Sequence, residues 1–273
     1  MVKRLLAQLA LPEAAPPWTL IGAGSALVAA FAAIIMGTVI GQIIFPTEQF
    51  GILLGWAIGV ALMIAFIVVS RRKPAEQQGL WSVQQVSPVA NPGGKRSRAS
   101  LPVTVAPVER PAPNLFFLLF IGVGLALTLD VIGRVFTGNR LPEAELQGLY
   151  QRFLMTGSIT IPSWIIAFLF MVLLQPLGEG LIFQGMLLPS LRTTFGAWPG
   201  LLLAGLLYGV FHYIAYPPGF LGVSSWWYGL ISPTLAGVIY AAVRIVTGST
   251  RAAILTHAAF GVFGVLNLLT LVG

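Results

Sequence analysis

Pro-Leu-Gly-Glu-Gly-Leu-Ile-Phe-Gln-Gly-Met-Leu-Leu-Pro-Ser-Leu-Arg, residues 176–192, places one carboxylate, Glu179, in strongly apolar sequence. No other acidic residue occurs between Glu145 and the C-terminus. An isolated charge in apolar surroundings is costly, so such residues pair with a partner or line a polar cavity. The chain has two histidines, His212 and His257, and both also lie in apolar segments. These three groups are the first candidates for a shared site.

The surrounding composition is that of a membrane protein. Hydrophobic residues make up 57% of the 273 and charged residues 8%, against roughly 25% charged in a soluble domain. Mean hydropathy is +0.89. The expected fold is all-α, a polytopic bundle of about seven transmembrane helices. The absence of cysteine excludes disulfides, thiol catalysis and cysteine-ligated metals. The net charge of +7 sits at the ends of apolar runs, as orientation signals do. No basic patch is interleaved with aromatic residues as in single-strand binders, so no nucleic-acid partner is expected.

Taken outward from Glu179, the spans are expected over 18–45, 51–70, 114–136, 158–192, 199–216, 226–246 and 251–272. Residues 5–11 read as an interfacial turn. Gly37 and Gly41, one turn apart, suit close helix contact in the first hairpin. Pro176 and Gly178 predict a bend in the fourth span, since proline removes a backbone hydrogen bond. Asp130 and Arg134 have the i,i+4 spacing of a helical ion pair. Residues 137–157 are polar and read as a loop with a short surface helix. Trp226, Trp227 and Tyr228 read as an interfacial aromatic belt.

Three units are expected: a transmembrane hairpin over 1–73, a linker over 74–113, and a membrane domain over 114–273. The linker holds seven prolines and the basic cluster Lys95, Arg96 and Arg98. Such a segment does not bury enough apolar surface to fold alone, and it suits a protein partner or anionic headgroups. The N-terminal arm, the linker, Arg192, Arg244 and Arg251 place most of the basic residues on one face; the opposite loops hold Arg140 and Arg152. The expected location is the bacterial cytoplasmic membrane, with the N-terminus cytoplasmic.

Helix rise places Glu179 and His212 at ~20 Å, and His257 at ~9 Å, from the nearest basic helix ends. At those depths the three side chains can converge on one hydrated cavity. A glutamate and two histidines there can activate water, with Glu179 as base. The same set can instead bind zinc, as two histidines and a glutamate do in some metalloenzymes.

Three short motifs then align in order. Glu179 to Gly185 resembles the Glu-Glu-x-x-x-Arg motif of the CPBP family, the CAAX proteases and bacteriocin-processing enzymes also called Abi. Tyr208 to His212 resembles Phe-x-x-x-His, and His257 to Gly261 resembles His-x-x-x-Asn/Asp. The resemblance covers roughly residues 115–272. It implies an intramembrane endopeptidase in which glutamate-activated water hydrolyses a peptide bond of a membrane-associated or lipidated peptide. Glu179 is then the base, His212 positions the water and His257 supports the oxyanion, with no cofactor. Tyr208, Phe183, Gln184 and Gly261 occupy the supporting motif positions. The chain departs from the pattern at Gly180, Gln184 and Gly261. The alternative expectation is therefore a family member that binds or assembles in the membrane without catalysis.

Overall fold

The computed structural model describes residues 2–46, 49–87, 104–107 and 114–273. The helices are α1 (Val2–Ala10), α2 (Leu20–Ile44), α3 (Gln49–Ser70), α4 (Pro74–Trp81), α5 (Leu115–Thr137), α6 (Gln147–Thr156), α7 (Ile161–Phe195), α8 (Ala197–Ala215), α9 (Val223–Thr247) and α10 (Thr250–Val272). Strands β1 (Gln84–Ser87) and β2 (Thr104–Pro107) pair antiparallel, Gln84 opposite Pro107 and Ser87 opposite Thr104. Among the described residues, seven helices are long and apolar enough to cross a membrane: α2, α3, α5, α7, α8, α9 and α10. The protein is an all-α polytopic bundle and an integral membrane protein.

Helices α2 and α3 are held by small residues on facing sides. A Cβ on Gly37 would lie 2.6 Å from Gly59 Cα, and one on Gly55 would lie 2.6 Å from Thr38 Cα. Neither position accepts a side chain without separating the backbones. With no water to drive association inside a bilayer, this backbone approach supplies the packing.

Helix α7 is 35 residues long and does not break at Pro176. Two π-helical stretches, Leu169–Leu174 and Gly180–Leu187, flank the short α-helical turn Gln175–Glu179. At the expected bend the helix stays continuous and widens locally, which accommodates the hydrogen bond that Pro176 cannot donate. The widening also sets the rotational position of Glu179 toward the bundle interior, where it is fully buried.

Residues 2–10 form a helix rather than a turn, with Lys3 and Arg4 exposed. The arm that follows is anchored by a buried ion cluster. Glu13 accepts from Arg244 Nη1 at 2.7 Å and lies 3.4 Å from Arg192 Nε. Arg192 also donates to the carbonyls of Leu9, Leu11 and Ala197 at 2.7–3.2 Å. Trp18 Nε1 donates to Met186 O at 3.2 Å and to Ser190 Oγ at 3.1 Å. The arm is thereby tied to α7 and α9.

The start of the expected linker is ordered helix. Leu80 of α4 and Val83 beyond it are buried, Val83 N donates to Gly248 O at 3.0 Å, and Thr250 Oγ1 donates to Leu80 O at 2.5 Å. Residues 88–103 and 108–113, with the basic cluster, lie outside the described residues. The aromatic belt is also different from expectation. Trp226 is exposed, whereas Trp227 and Tyr228 are buried, and Trp227 stacks on Phe136 with ring centroids 5.3 Å apart.

Two outcomes test this packing by thermal unfolding in detergent micelles. Gly37→Leu is expected to destabilise by about 1–3 kcal/mol through overpacking. Gly24→Leu, where a Cβ meets nothing within 4 Å, leaves the midpoint unchanged. Glu13→Ala strands two buried guanidinium groups and is expected to cost about 3–5 kcal/mol. A midpoint equal to that of the unaltered protein would rule out the anchoring role.

Candidate active site

Glu179 on α7 and His212 on α8 meet in the bundle interior, with Glu179 Oε2 3.0 Å from His212 Nε2. Glu179 Oε1 is buried and has no hydrogen-bond partner among the described residues. His257, about two turns into α10, lies on the other side of Tyr208: its Nε2 is 3.3 Å from the Tyr208 hydroxyl. The Tyr208 ring is also 4.5 Å from the His212 ring, centroid to centroid. The helices thus bring together all three ionisable groups that the sequence singles out, with Tyr208 between the two histidines.

The other side of His212 holds a group that the sequence reading assigned to a surface loop. Glu145 Oε1 lies 3.0 Å from His212 Nδ1. Gln175, one turn before Glu179, donates from Nε2 to the same oxygen at 2.8 Å. The segment over 143–149 is not a surface loop. Glu143, Ala144, Glu145, Leu146, Gln147 and Leu149 are all buried, and only the helix that follows matches the expectation. A single 3₁₀ turn at Ala144–Leu146 tucks the chain under the bundle.

These neighbouring acids sit in different electrostatic surroundings. Burial alone would push the Glu145 carboxyl up, but hydrogen bonding and charge from His212, with the Gln175 amide, outweigh it and hold it below the usual carboxylate range. Among the described residues, Glu143 has no such hydrogen-bond partner. Burial, followed by the charges of Glu145 and Asp130, pushes it up to about 8 against an opposing contribution from His212. At neutral pH, Glu143 is protonated and Glu145 is ionised.

A cavity of about 20 Å³ lies at this junction, lined among others by Glu143, Glu145, Tyr208, His212, Tyr240 and His257. That is room for about one water-sized sphere. Glu179 is not part of its wall but contacts His212, which is. Tyr240 stacks on His257 with centroids 4.7 Å apart and an interplanar angle of 20°, which fixes the ring's orientation.

Apart from Tyr208, the supporting motif positions lie away from the cavity wall. Phe183 makes edge contacts with Tyr208 and Phe211 at 5.0 and 5.3 Å. Gln184 is buried but does not line the cavity. A side chain at Gly180 would collide with Ile254, and one at Gly261 with the Met171 backbone carbonyl. Asn267 is committed elsewhere, accepting from Arg140 at 2.9 Å and donating to Asp130 at 3.5 Å. Asp130 also receives the expected ion pair from Arg134.

Both His212 nitrogens face carboxylates, and His257 Nε2 faces a tyrosine hydroxyl. Among the described residues, no group of three or more histidine or carboxylate side chains is arranged to hold a metal ion.

Glu143, Glu145, Gln175 and Tyr240 were not legible as site residues. The pairing of Glu143 with Glu145 just before the span that carries Glu179 was the available signal. Residues 161–263 match the family model described as Rce1-like, type II CAAX prenyl endopeptidase. No curated protein and no solved structure matches the chain. The matched stretch starts with α7 and holds Glu179, Tyr208, His212 and His257, so the part of the membrane domain built around these residues is similar to the Rce1-like CAAX-protease family.

Proposed function

We propose that this chain is an intramembrane endopeptidase that uses glutamate-activated water to hydrolyse a peptide bond in a membrane-associated or lipidated peptide. The observation that carries the reading is the buried Glu179–His212 pair at 3.0 Å, with the second Glu179 oxygen unpartnered. One oxygen is held by the imidazole and the other is free to accept from water.

In the proposed reaction Glu179 takes a proton from water while the oxygen attacks the scissile carbonyl. The carbon–nitrogen bond then breaks, and the same proton passes to the leaving amine. Charge developing on the carbonyl oxygen is met by the His257 and Tyr208 side of the cavity. Excluding bulk water strengthens each of these interactions. The reading requires no cofactor.

The losses at Gly180 and Gly261 leave no holes, since Ile254 and the Met171 backbone fill those places. The glutamate and both histidines remain joined, so the non-catalytic alternative is not favoured. The proposed setting is a bacterial cytoplasmic membrane with the N-terminus inside, as the basic residues suggest. Labelling of Lys3→Cys in intact cells with a membrane-impermeant maleimide tests that orientation; no labelling is expected, and labelling would reverse it.

Two outcomes test the chemistry, read on a farnesylated peptide ending in a CAAX tetrapeptide. Glu179→Gln is expected to lower kcat by roughly 10²–10⁴-fold, with folding checked by thermal melting; cleavage at the unaltered rate would refute the assignment. The second outcome concerns pH. Glu143 is neutral below about 8, and its ionisation adds negative charge beside the developing oxyanion. The rate is therefore expected to fall as pH rises through about 8. Glu143→Gln, which cannot ionise, is expected to remove that decline.

A further inference from the structure

We infer that Glu145 is a positioning residue of this site: it fixes the imidazole of His212 from the side opposite Glu179, so that the centre contains two carboxylates supplied by separate parts of the chain. This rests on the function proposed above for its catalytic consequence, although the pairing itself does not.

The argument begins with hydrogen-bond capacity. An ionised carboxylate only accepts, and an imidazole has two ring nitrogens. Glu179 lies 3.0 Å from Nε2 and Glu145 lies 3.0 Å from Nδ1. Both contacts are satisfied when the ring donates at each nitrogen. The ring is therefore held at both ends, and its plane cannot turn without breaking one charge-assisted bond.

The placement of Glu145 is itself secured. It is 6% exposed, on a 3₁₀ turn whose neighbours Ala144 and Leu146 are buried at 3% and 0%. Gln175 Nε2 donates to it at 2.8 Å. Because Gln175 precedes Glu179 by one turn of α7, the same helical turn positions both carboxylates, one directly and one through its amide. A side chain used only for solubility or loop structure would not be sealed in this way.

The location gives Glu145 a second property. It lines the small cavity beside His212 and also a neighbouring recess of about 210 Å³, bordered by Gln49, Trp56, Gln147 and Pro217. Glu179 lines neither. Glu145 is thus the carboxylate of the pair that meets both spaces, while Glu179 is enclosed. Trp56 and Gln49 come from α3, which lies outside the family match, so the N-terminal hairpin completes the wall on this side.

The experiment uses the full chain in detergent micelles, with ¹⁵N-histidine labelling. Two histidines in the sequence give two imidazoles to resolve, and His257→Gln assigns them. In Glu145→Gln the ring-nitrogen resonances of His212 are expected to move and its titration to change, while those of His257 stay in place. Glu145→Asp, which keeps the charge, is expected to restore part of the unaltered spectrum. On the farnesylated peptide, Glu145→Gln is expected to lower kcat by roughly 10- to 100-fold with little change in KM, as when the partner orienting a functional histidine is lost. His212 resonances identical in the unaltered protein and Glu145→Gln would overturn the inference. So would a KM effect alone with kcat preserved. If the unaltered protein does not cleave the peptide, the proposed activity fails on that substrate, while the imidazole spectra still decide the role of Glu145. Should Glu145→Gln fail to fold, Gln175→Leu provides the second reading: it removes the amide that steadies Glu145, and an unmoved His212 spectrum in that variant also rejects the inference.

Discussion

One imidazole held between two carboxylates is the constraint on which the rest of this structure depends. In a bilayer core a lone charge has no water to solvate it, and the effective cost is several kcal/mol. Glu179, His212 and Glu145 meet at 3.0 Å on each side, so the chain keeps these ionisable groups inside an apolar bundle. The same desolvation that makes the arrangement costly also strengthens the contacts within it. Hydrogen bonds and charges act more strongly where the surroundings cannot rearrange to screen them.

Holding that trio in place accounts for several unusual local features. Helix α7 crosses the bundle without breaking at Pro176 because π-helical turns on both sides take up the missing hydrogen bond. The turn between them carries Gln175 and Glu179 to the interior together. Gly180 and Gly261, which replace polar residues of the family pattern, are places where Ile254 and the Met171 backbone press close. The polar support lost at those positions reappears from another part of the chain, in Glu143 and Glu145. Support for a buried site is a matter of spatial placement, and a short motif specifies only part of it.

The Glu13 cluster follows the same rule farther from the site. Arg192 and Arg244 are buried at the ends of α7 and α9, and the arm before α2 delivers one carboxylate to both. Thr250 links Arg244 to the α4 backbone. Segments that look peripheral in sequence are therefore fastened to the two helices that frame the site. Among the described residues, the Glu13 and His212 clusters are each completed by an acid from outside the membrane-spanning helices.

Much of this was legible before any tertiary information. Hydropathy alone placed seven spans, because backbone groups in hydrocarbon require helices of a set length. The rarity of ionisable residues in those spans picked out Glu179, His212 and His257. Residues 143–149 were not legible, since polar residues between two spans look the same whether they face solvent or fold beneath the bundle. Glu143 and Glu145 are only two residues apart, yet one is protonated and the other paired, a distinction made by His212 and Gln175 arriving from distant positions. The sequence by itself determined which charges enter the membrane, because composition sets the cost of inserting them. Only the tertiary structure decided which partners they meet, because that depends on helix rotation and on a connecting turn whose burial no local pattern encodes.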